Sequence, residues 1–369
     1  MGARLAVVRA GEQGAEVIAA RSSSALDRSL VHDAELWIAV ATDRALFSGA
    51  FQRAACSRCS ASGPSAASVS SPSPLSLPVF RRGSGGPDVI VGEGTIHVVL
   101  ALAHPGAIVA CDEKHIVNRM VRPLLRALTK TGSHAHFFGR DSVSVTNGRT
   151  RTPAAWVGFA HDATTRRTAF EAFVAVRTPY APCPSDSSPG TPKGTLESIA
   201  GCTLDSMHIA EAMAIAYEAC ASVVEPIPVT SDDLPAKVNL GRERPWAAAC
   251  EEAIGWLGAG DDADGVFRVG GDLLVSRDAL ARLETSLVGA SDDEVGAVVD
   301  AALGARGVAI EGVRSLQSVR DVIVNARRAS RGPLSRATAS SIPTDCRDQD
   351  EAPLGRHSFV CSLCRSRAS

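Results

Sequence analysis

The stretch 141–177 constrains the fold most, because it combines alternating apolar and polar residues with a strong hairpin signal. Residues 141–145 alternate and lead to Asn147-Gly148, a pair that favours a tight antiparallel turn. Residues 155–161 and 168–177 are rich in apolar and aromatic residues and are predicted as the next two strands, joined by a turn at 162–166. This part of the chain is therefore predicted to be an antiparallel meander.

Further strands and helices are predicted on both sides of this meander. A short helix capped by Ser24 is predicted to carry Leu26, Leu30 and Val31, and Pro123 is expected to kink or divide a helix over 113–130. The other expected elements are strands at 4–9, 35–42 and 96–104 and a helix at 205–220.

The last third of the chain has a different pattern. We expect a helix at 246–257, a hairpin near 267–275, and three amphipathic helices that begin at Ser276, Ser291 and Ser315. The chain is thus predicted to be α+β, with mixed but mostly antiparallel sheets flanked by helices. The expected parts are a main domain at 1–224, a small accessory-like α+β domain at 226–330, and a disordered tail at 331–369.

Composition excludes several classes of partner. The chain has 369 residues with 38 basic and 40 acidic side chains, so its net charge of -2 argues against nucleic acid or an anionic membrane held by bulk charge. It contains no long apolar run and no signal-peptide pattern, and we expect a cytoplasmic protein. The ten cysteines are interpreted as reduced thiols. A zinc site from the Cys56/Cys59 and Cys361/Cys364 pairs is the alternative to incidental cysteines.

The strongest chemical signal is the segment Arg81-Arg82-Gly83-Ser84-Gly85-Gly86. Paired guanidinium groups suit a carboxylate or phosphate. The glycines let backbone N–H groups approach an anion closely. The alternative is an exposed basic turn with flexible glycines.

This segment resembles the Arg-Arg-x-Ser-Gly-Gly motif of the lipoate/biotin protein ligase family. Other pieces occur in the order of that family, and the resemblance covers roughly residues 4–222. These pieces are Phe47 to Gln52, Gly94 to His97, Gly139-Arg140-Asp141, and Leu196 to Ile199.

The resemblance implies the class II synthetase-like fold of these ligases and a two-step reaction. A lipoate, octanoate or biotin carboxylate is activated with ATP and Mg²⁺ to an acyl-adenylate, and a lysine of a lipoyl- or biotinyl-type carrier domain then takes the acyl group. The implied acyl- and adenylate-binding residues are Arg81, Arg82, Ser84, Gly85, Gly86 and Gly158, with Gln52, Arg140 and Asp141 as further candidates.

One position departs from the family in a way that affects catalysis. The family places a lysine in a Lys-x-x-Gly-Ser-Ala strand, and alignment of Gly158-Phe159-Ala160 with its end puts Ala155 at the lysine position. No catalytic residue is therefore assigned. The main prediction is a lipoate–protein-ligase-like enzyme that uses another cation. The alternatives are a non-catalytic relative that binds an acyl ligand or carrier domain, and a purely structural protein.

Other polar residues leave two interpretations open. His134 and His136 could face one side of a strand and bind a metal with Asp141, although structural histidines are the simpler interpretation and no metal site is predicted. Glu171 alternates with Phe170 and Phe173, so its carboxylate is either buried and functional or exposed to solvent.

Overall fold

The computed structural model describes residues 2–52, 77–139, 141–148, 150–182, 194–229, 246–262 and 264–331. Contacts join them in one unit, Met1–Arg331, and the predicted boundary near residue 226 stays a prediction. Residues 53–76 and 183–193, the tail after Arg331, both Cys-x-x-Cys pairs and Arg140 lie outside the described residues.

An eight-stranded mixed sheet is the centre of the molecule. Its two parallel pairs join the first strand to its neighbours on either side, and the other pairs are antiparallel. In spatial order the strands are β12 (Val223–Pro226), β1 (Arg4–Gln13), β2 (Ala34–Ala41), β6 (Thr95–Leu102), β10 (Thr168–Ala175), β9 (Thr150–His161), β8 (Ser142–Asn147) and β7 (His134–Phe137). The meander predicted from residues 141–177 is the β8–β9–β10 part of this sheet.

Both faces of this sheet are covered, which explains why β6 and β10 are buried along their whole length. Helices α2 (Ile116–Lys130) and α4 (Ser206–Glu218) pack on one face. Helix α1 (Ala15–Ser24) and a four-stranded second sheet pack on the other face. The strands of the second sheet are β11 (Ala181–Pro182), β5 (Val89–Val91), β3 (Ala45–Ser48) and β4 (Val79–Arg81).

The last third of the chain has its own hydrophobic core. A three-stranded antiparallel sheet packs against three helices, and a two-stranded ladder lies beside them. The elements are β13 (Ala248–Glu252), β14 (Gly255–Asp261), β15 (Phe267–Gly271), β16 (Leu274–Val275), α5 (Arg277–Leu287), α6 (Val295–Leu303), β17 (Ile310–Glu311) and α7 (Leu316–Arg331). A short helix, α3 (Leu196–Ala200), precedes α4.

The predicted fold class is confirmed, and so are the three late helices. The second of these helices begins at Val295 and not at Ser291, because the Ser291 N–H donates to the Glu294 carboxylate at 2.7 Å within the turn that precedes the helix. The helix predicted at 246–257 is wrong, because these residues form β13 and the start of β14. Gly255 has a φ of +145°, and a Cβ at Gly258 would lie 2.3 Å from the Trp246 ring, so these glycines serve a tight hairpin.

Two other local predictions are wrong. The first helix ends at Ser24 instead of beginning there, because Ala15, Ile18 and Ala19 form the buried face, whereas Val31 is 87% exposed. Helix α2 is not divided at Pro123: its bounds run through the proline. The apolar face of α2 packs on the large sheet, and this packing offsets the single N–H donor that proline lacks.

Candidate functional site

The Arg81-to-Gly86 segment leaves strand β4 and crosses between the two larger sheets. The backbone N–H of Arg82 donates to the Ser48 carbonyl at 2.9 Å, and that of Gly85 donates to the Phe159 carbonyl at 3.3 Å. The Gly86 N–H donates to the Leu273 carbonyl, in the last third of the chain, at 3.1 Å. Two of the glycine N–H groups predicted to face an anion therefore bind protein carbonyls in this structure.

The glycines of this turn are required by close packing. A Cβ at Gly85 would lie 2.2 Å from the Leu273 carbonyl oxygen, and one at Gly49 would lie 2.0 Å from the Gly86 carbonyl oxygen. Gly86 also has a φ of +92°, a conformation that side chains other than glycine rarely adopt. The glycine turn is thus pressed against backbone from other parts of the chain.

Arg82 is 1% exposed and lies inside the turn that follows it. Its guanidinium donates to the Phe47 carbonyl at 2.9 Å, and to the carbonyls of Gly85 and Pro87 at 2.8 and 2.7 Å. It also donates to the Ser84 hydroxyl at 3.2 Å.

The same guanidinium lies 4.1 Å from the centre of the Trp156 ring. Burial lowers the pKa of Arg82, and the nearby carboxylates of Glu171 and Asp88 oppose that effect. With its donors directed to the protein, Arg82 acts as a positioning residue that shapes the turn.

A buried polar network continues from Arg82 into the large sheet. The Ser84 hydroxyl donates to the Glu171 carboxylate, and the other carboxylate oxygen lies 2.8 Å from His97 Nε2. The His97 ring stacks on Phe173 with centroids 4.7 Å apart.

Burial opposes the charged form of Glu171, but the hydrogen bond and charge of His97, together with Arg82, hold the pKa of this carboxyl below its usual value. Of the two interpretations left open for Glu171, the structure shows the buried one, with 2% exposure.

Arg81 has a different environment from its neighbour. Its half-buried guanidinium donates to the Ala50 carbonyl at 3.2 Å and lines a cavity of about 400 Å³, a volume typical of small-molecule sites. We call this cavity the Arg81 crevice. Its lining residues are Ala50, Phe51, Gln52, Arg81, Trp246, Asp262, Asp264, Arg268, Val269, Arg277, Leu280, Ala281 and Glu284.

Two other arginines line the Arg81 crevice, and both are paired with carboxylates. Arg268 contacts Asp262 at 3.0 Å and Glu284 at 2.9 Å. The hydrogen bonds from these two carboxylates raise the pKa of Arg268. Arg277 lies 2.7 Å from Asp27. Among the described residues, Arg81 has no carboxylate within ion-pair distance, so it is the crevice guanidinium that remains available to an anionic ligand.

The remaining candidate residues are divided between the two faces of the large sheet. Ala155 is fully buried in the core beneath α2 and α4, whereas Trp156 faces the glycine turn. A lysine at position 155 would therefore point into the hydrophobic core and away from Arg82. Gly158 lies on the Trp156 side, where a Cβ would lie 2.5 Å from the Trp156 ring.

The other two described candidates, Asp141 and Gln52, make hydrogen bonds within the protein. The Asp141 carbonyl accepts the Val157 N–H at 2.8 Å, and Gln52 donates its amide to Asp272. Asp272 also accepts the Trp256 N–H at 2.7 Å. Gln52 thus links the start of the crevice to the last third of the chain.

Sequence reasoning missed part of this arrangement. The crevice residues Trp246, Arg268 and Glu284 are brought to Arg81 only by tertiary packing. The pairing of His97 with Glu171 had a weak signal, since each is a titratable residue inside an otherwise apolar strand. Within the described ranges, no group of three or more His, Cys, Asp and Glu side chains could hold a metal ion, and no helix there is long and apolar enough to cross a membrane.

The comparison with solved structures identifies the architecture. LipL1 of P. falciparum, in complex with lipoate, matches with a TM-score of 0.53 and 11% identity over 86% of this chain and 98% of that chain. The chain has the fold of a lipoate–protein ligase. An archaeal lipoate protein ligase from Thermoplasma acidophilum matches 63% of this chain and 89% of its own, with 14% identity and a TM-score of 0.44.

A biotin protein ligase is also among the matched structures. The biotin protein ligase of Leishmania major covers 73% of this chain and 98% of its own, with 10% identity and a TM-score of 0.29. No family model and no curated protein matches the sequence. At these identities the similarity shows the ligase fold alone. It supports the family resemblance drawn from the motif at that level.

Proposed function

We propose that this protein is a lipoate–protein-ligase-like protein that binds a small carboxylic acid at Arg81 for attachment to a lysine of a carrier domain. One observation carries the proposal: the ligase-type fold places the Arg-Arg-x-Ser-Gly-Gly turn beside a crevice, with the Arg81 guanidinium on its wall. The acyl groups we propose are lipoyl, octanoyl or biotinyl.

The chain's own residues divide the work in this proposal. Arg81 binds the carboxylate and fixes its orientation, because a guanidinium can donate two parallel hydrogen bonds to it. The turn is fixed on its buried side by the hydrogen bonds from Arg82 to Ser84 and from Ser84 to Glu171. The side chain of Arg81, at the end of β4, is thereby held in a defined direction. The apolar wall at Phe51 and Leu280 excludes water from the bound acid.

ATP and Mg²⁺ are the co-reactants that the family resemblance implies. The described residues do not fit a bound triphosphate as they stand, since the N–H groups of Gly85 and Gly86 are engaged and Arg268 and Arg277 are paired. They offer one guanidinium, which matches one carboxylate.

This misfit favours a second candidate function. A non-catalytic relative would bind the acyl ligand at Arg81 or a lipoyl- or biotinyl-type carrier domain, without turnover.

Mass spectrometry separates the two candidates. The full chain is incubated with ATP, Mg²⁺, a lipoyl- or biotinyl-type carrier domain and, in turn, lipoate, octanoate or biotin. The ligase proposal expects a carrier whose mass rises by one acyl group, and expects Arg81→Ala to abolish that product. An unmodified carrier and no acyl-AMP with all three acids would contradict it and leave the non-catalytic candidate.

A further inference from the structure

The charges that line the Arg81 crevice nearly cancel. Arg81, Arg268 and Arg277 are opposed by Asp262, Asp264 and Glu284 on the same lining, and Asp27 pairs with Arg277 from outside it. A ligand with several negative charges would gain from Arg81 but would face three carboxylates across the same space. A ligand with one negative charge meets the Arg81 guanidinium at much lower cost.

Glu284 is one of the two carboxylates that pair with Arg268. Its carboxylate is only 14% exposed, and one oxygen contacts the Arg268 guanidinium at 2.9 Å. The other oxygen accepts the Val269 N–H at 2.9 Å, which fixes the carboxylate in place. Arg268 is therefore bound to two acids, and Asp262 is fixed as well, since its other oxygen accepts the N–H groups of Asp264 and Val266 at 3.0 and 2.8 Å.

The rest of the lining is apolar or amphipathic. Phe51, Val269, Leu280 and Ala281 supply hydrocarbon surface, and Trp246 adds an aromatic ring. Val269 and Leu280 belong to the hydrophobic core of the last third of the chain, so this wall is part of a packed core. A ligand that places a carboxylate on Arg81 can lay an apolar body along this wall.

We propose that the Arg81 crevice selects a single carboxylate over phosphate chains, and that Glu284 contributes to this selectivity because, together with Asp262, it pairs with Arg268. The inference deepens the proposed function, on which it rests for the type of acid, by stating the charge class of the ligand and a residue that determines specificity. It also explains the misfit with a triphosphate.

Calorimetric titration of the full chain with octanoate and, separately, inorganic pyrophosphate tests this. We expect octanoate to bind and pyrophosphate to bind at least tenfold more weakly. Arg81→Gln should weaken octanoate at least tenfold, whereas the matched control Arg122→Gln, on the exposed side of α2, should leave it unchanged. Octanoate that fails to bind, or that binds Arg81→Gln as tightly as the unaltered chain, overturns the proposal.

The variant Glu284→Gln tests whether the Glu284 carboxylate weakens the binding of phosphate chains. Glutamine keeps a carbonyl oxygen for the Val269 N–H but removes the charge, so pyrophosphate affinity should rise on the order of tenfold. The double variant Glu284→Gln/Arg268→Gln should lose that gain, because the guanidinium that has lost one of its two carboxylate partners is then absent. Thermal unfolding verifies that each variant is folded. An unchanged pyrophosphate affinity in folded Glu284→Gln, or a gain that survives in the double variant, refutes the role of Glu284.

This experiment is independent of turnover, since it contains neither ATP nor a carrier domain. Loss of the proposed ligase activity would leave the binding results intact. Conversely, acylation of a carrier together with equal affinity for octanoate and pyrophosphate would keep the proposed function and remove this inference.

Discussion

Arg81 and Arg82 are adjacent in sequence, yet their removal should lower the stability of the fold by very different amounts. Arg82→Ala deletes four hydrogen bonds, and the buried backbone carbonyls of Phe47, Gly85 and Pro87 each lose the guanidinium as a donor. Each unsatisfied buried carbonyl costs about 1–3 kcal/mol. The desolvated contact with the Trp156 ring contributes up to about 2 kcal/mol more.

The expected loss for Arg82→Ala is therefore at least about 3 kcal/mol in the free energy of unfolding. Arg81→Ala removes one hydrogen bond to a carbonyl on a half-buried surface, so its expected loss is below about 1 kcal/mol. Urea unfolding followed by tryptophan fluorescence measures both, and Trp156 reports directly because it stacks on Arg82. Equal stability of the two variants would refute the assignment of Arg82 as a positioning residue.

Two further predictions concern the junction with the last third of the chain. Gly85→Ala should destabilise the fold by about 1–3 kcal/mol in the same urea assay, because its Cβ would lie 2.2 Å from the Leu273 carbonyl oxygen. The control Gly296→Ala, within helix α6, should stabilise the fold slightly, because the added Cβ meets nothing closer than 3.9 Å. A neutral Gly85→Ala would contradict the packing argument. Asp278 accepts the Ala163 N–H at 2.8 Å, and its pKa is lowered to about 2 although burial opposes this. Its contribution to the free energy of unfolding should therefore be present above pH 3.8 and lost as the pH falls towards 2. Asp278→Asn should flatten that part of a curve of stability against pH, and an unchanged curve would exclude the contact as the cause.

Much of the large sheet could be predicted, because its strands carry local signals. The alternation after Asp141, the Asn147-Gly148 turn and the apolar run of β6 each depend on neighbours in sequence. The hairpin at β13 and β14 was mistaken for a helix, since its glycines serve contacts with Trp246 and Asp272 that no local pattern reveals.

The candidate site was predictable only in part. The Arg81-to-Gly86 segment stands out by composition, but the sequence does not distinguish the two arginines. Their roles depend on side-chain direction: Arg82 turns inward beneath the glycines, whereas Arg81 faces a crevice whose far wall comes from residues almost two hundred positions later. Such distant packing also decides which face of β9 Ala155 occupies.

The attachment of the glycine turn to Ser48, Phe159 and Leu273 has a consequence for how such sequences change over time. Selection for folding alone would preserve the arginine, serine and glycines in a descendant that had abandoned any chemistry, since their contacts join the turn to distant segments of the chain. Retention of this motif therefore reports on the fold. The fold does not depend on Arg81, so retention of an arginine at position 81 would report on a ligand.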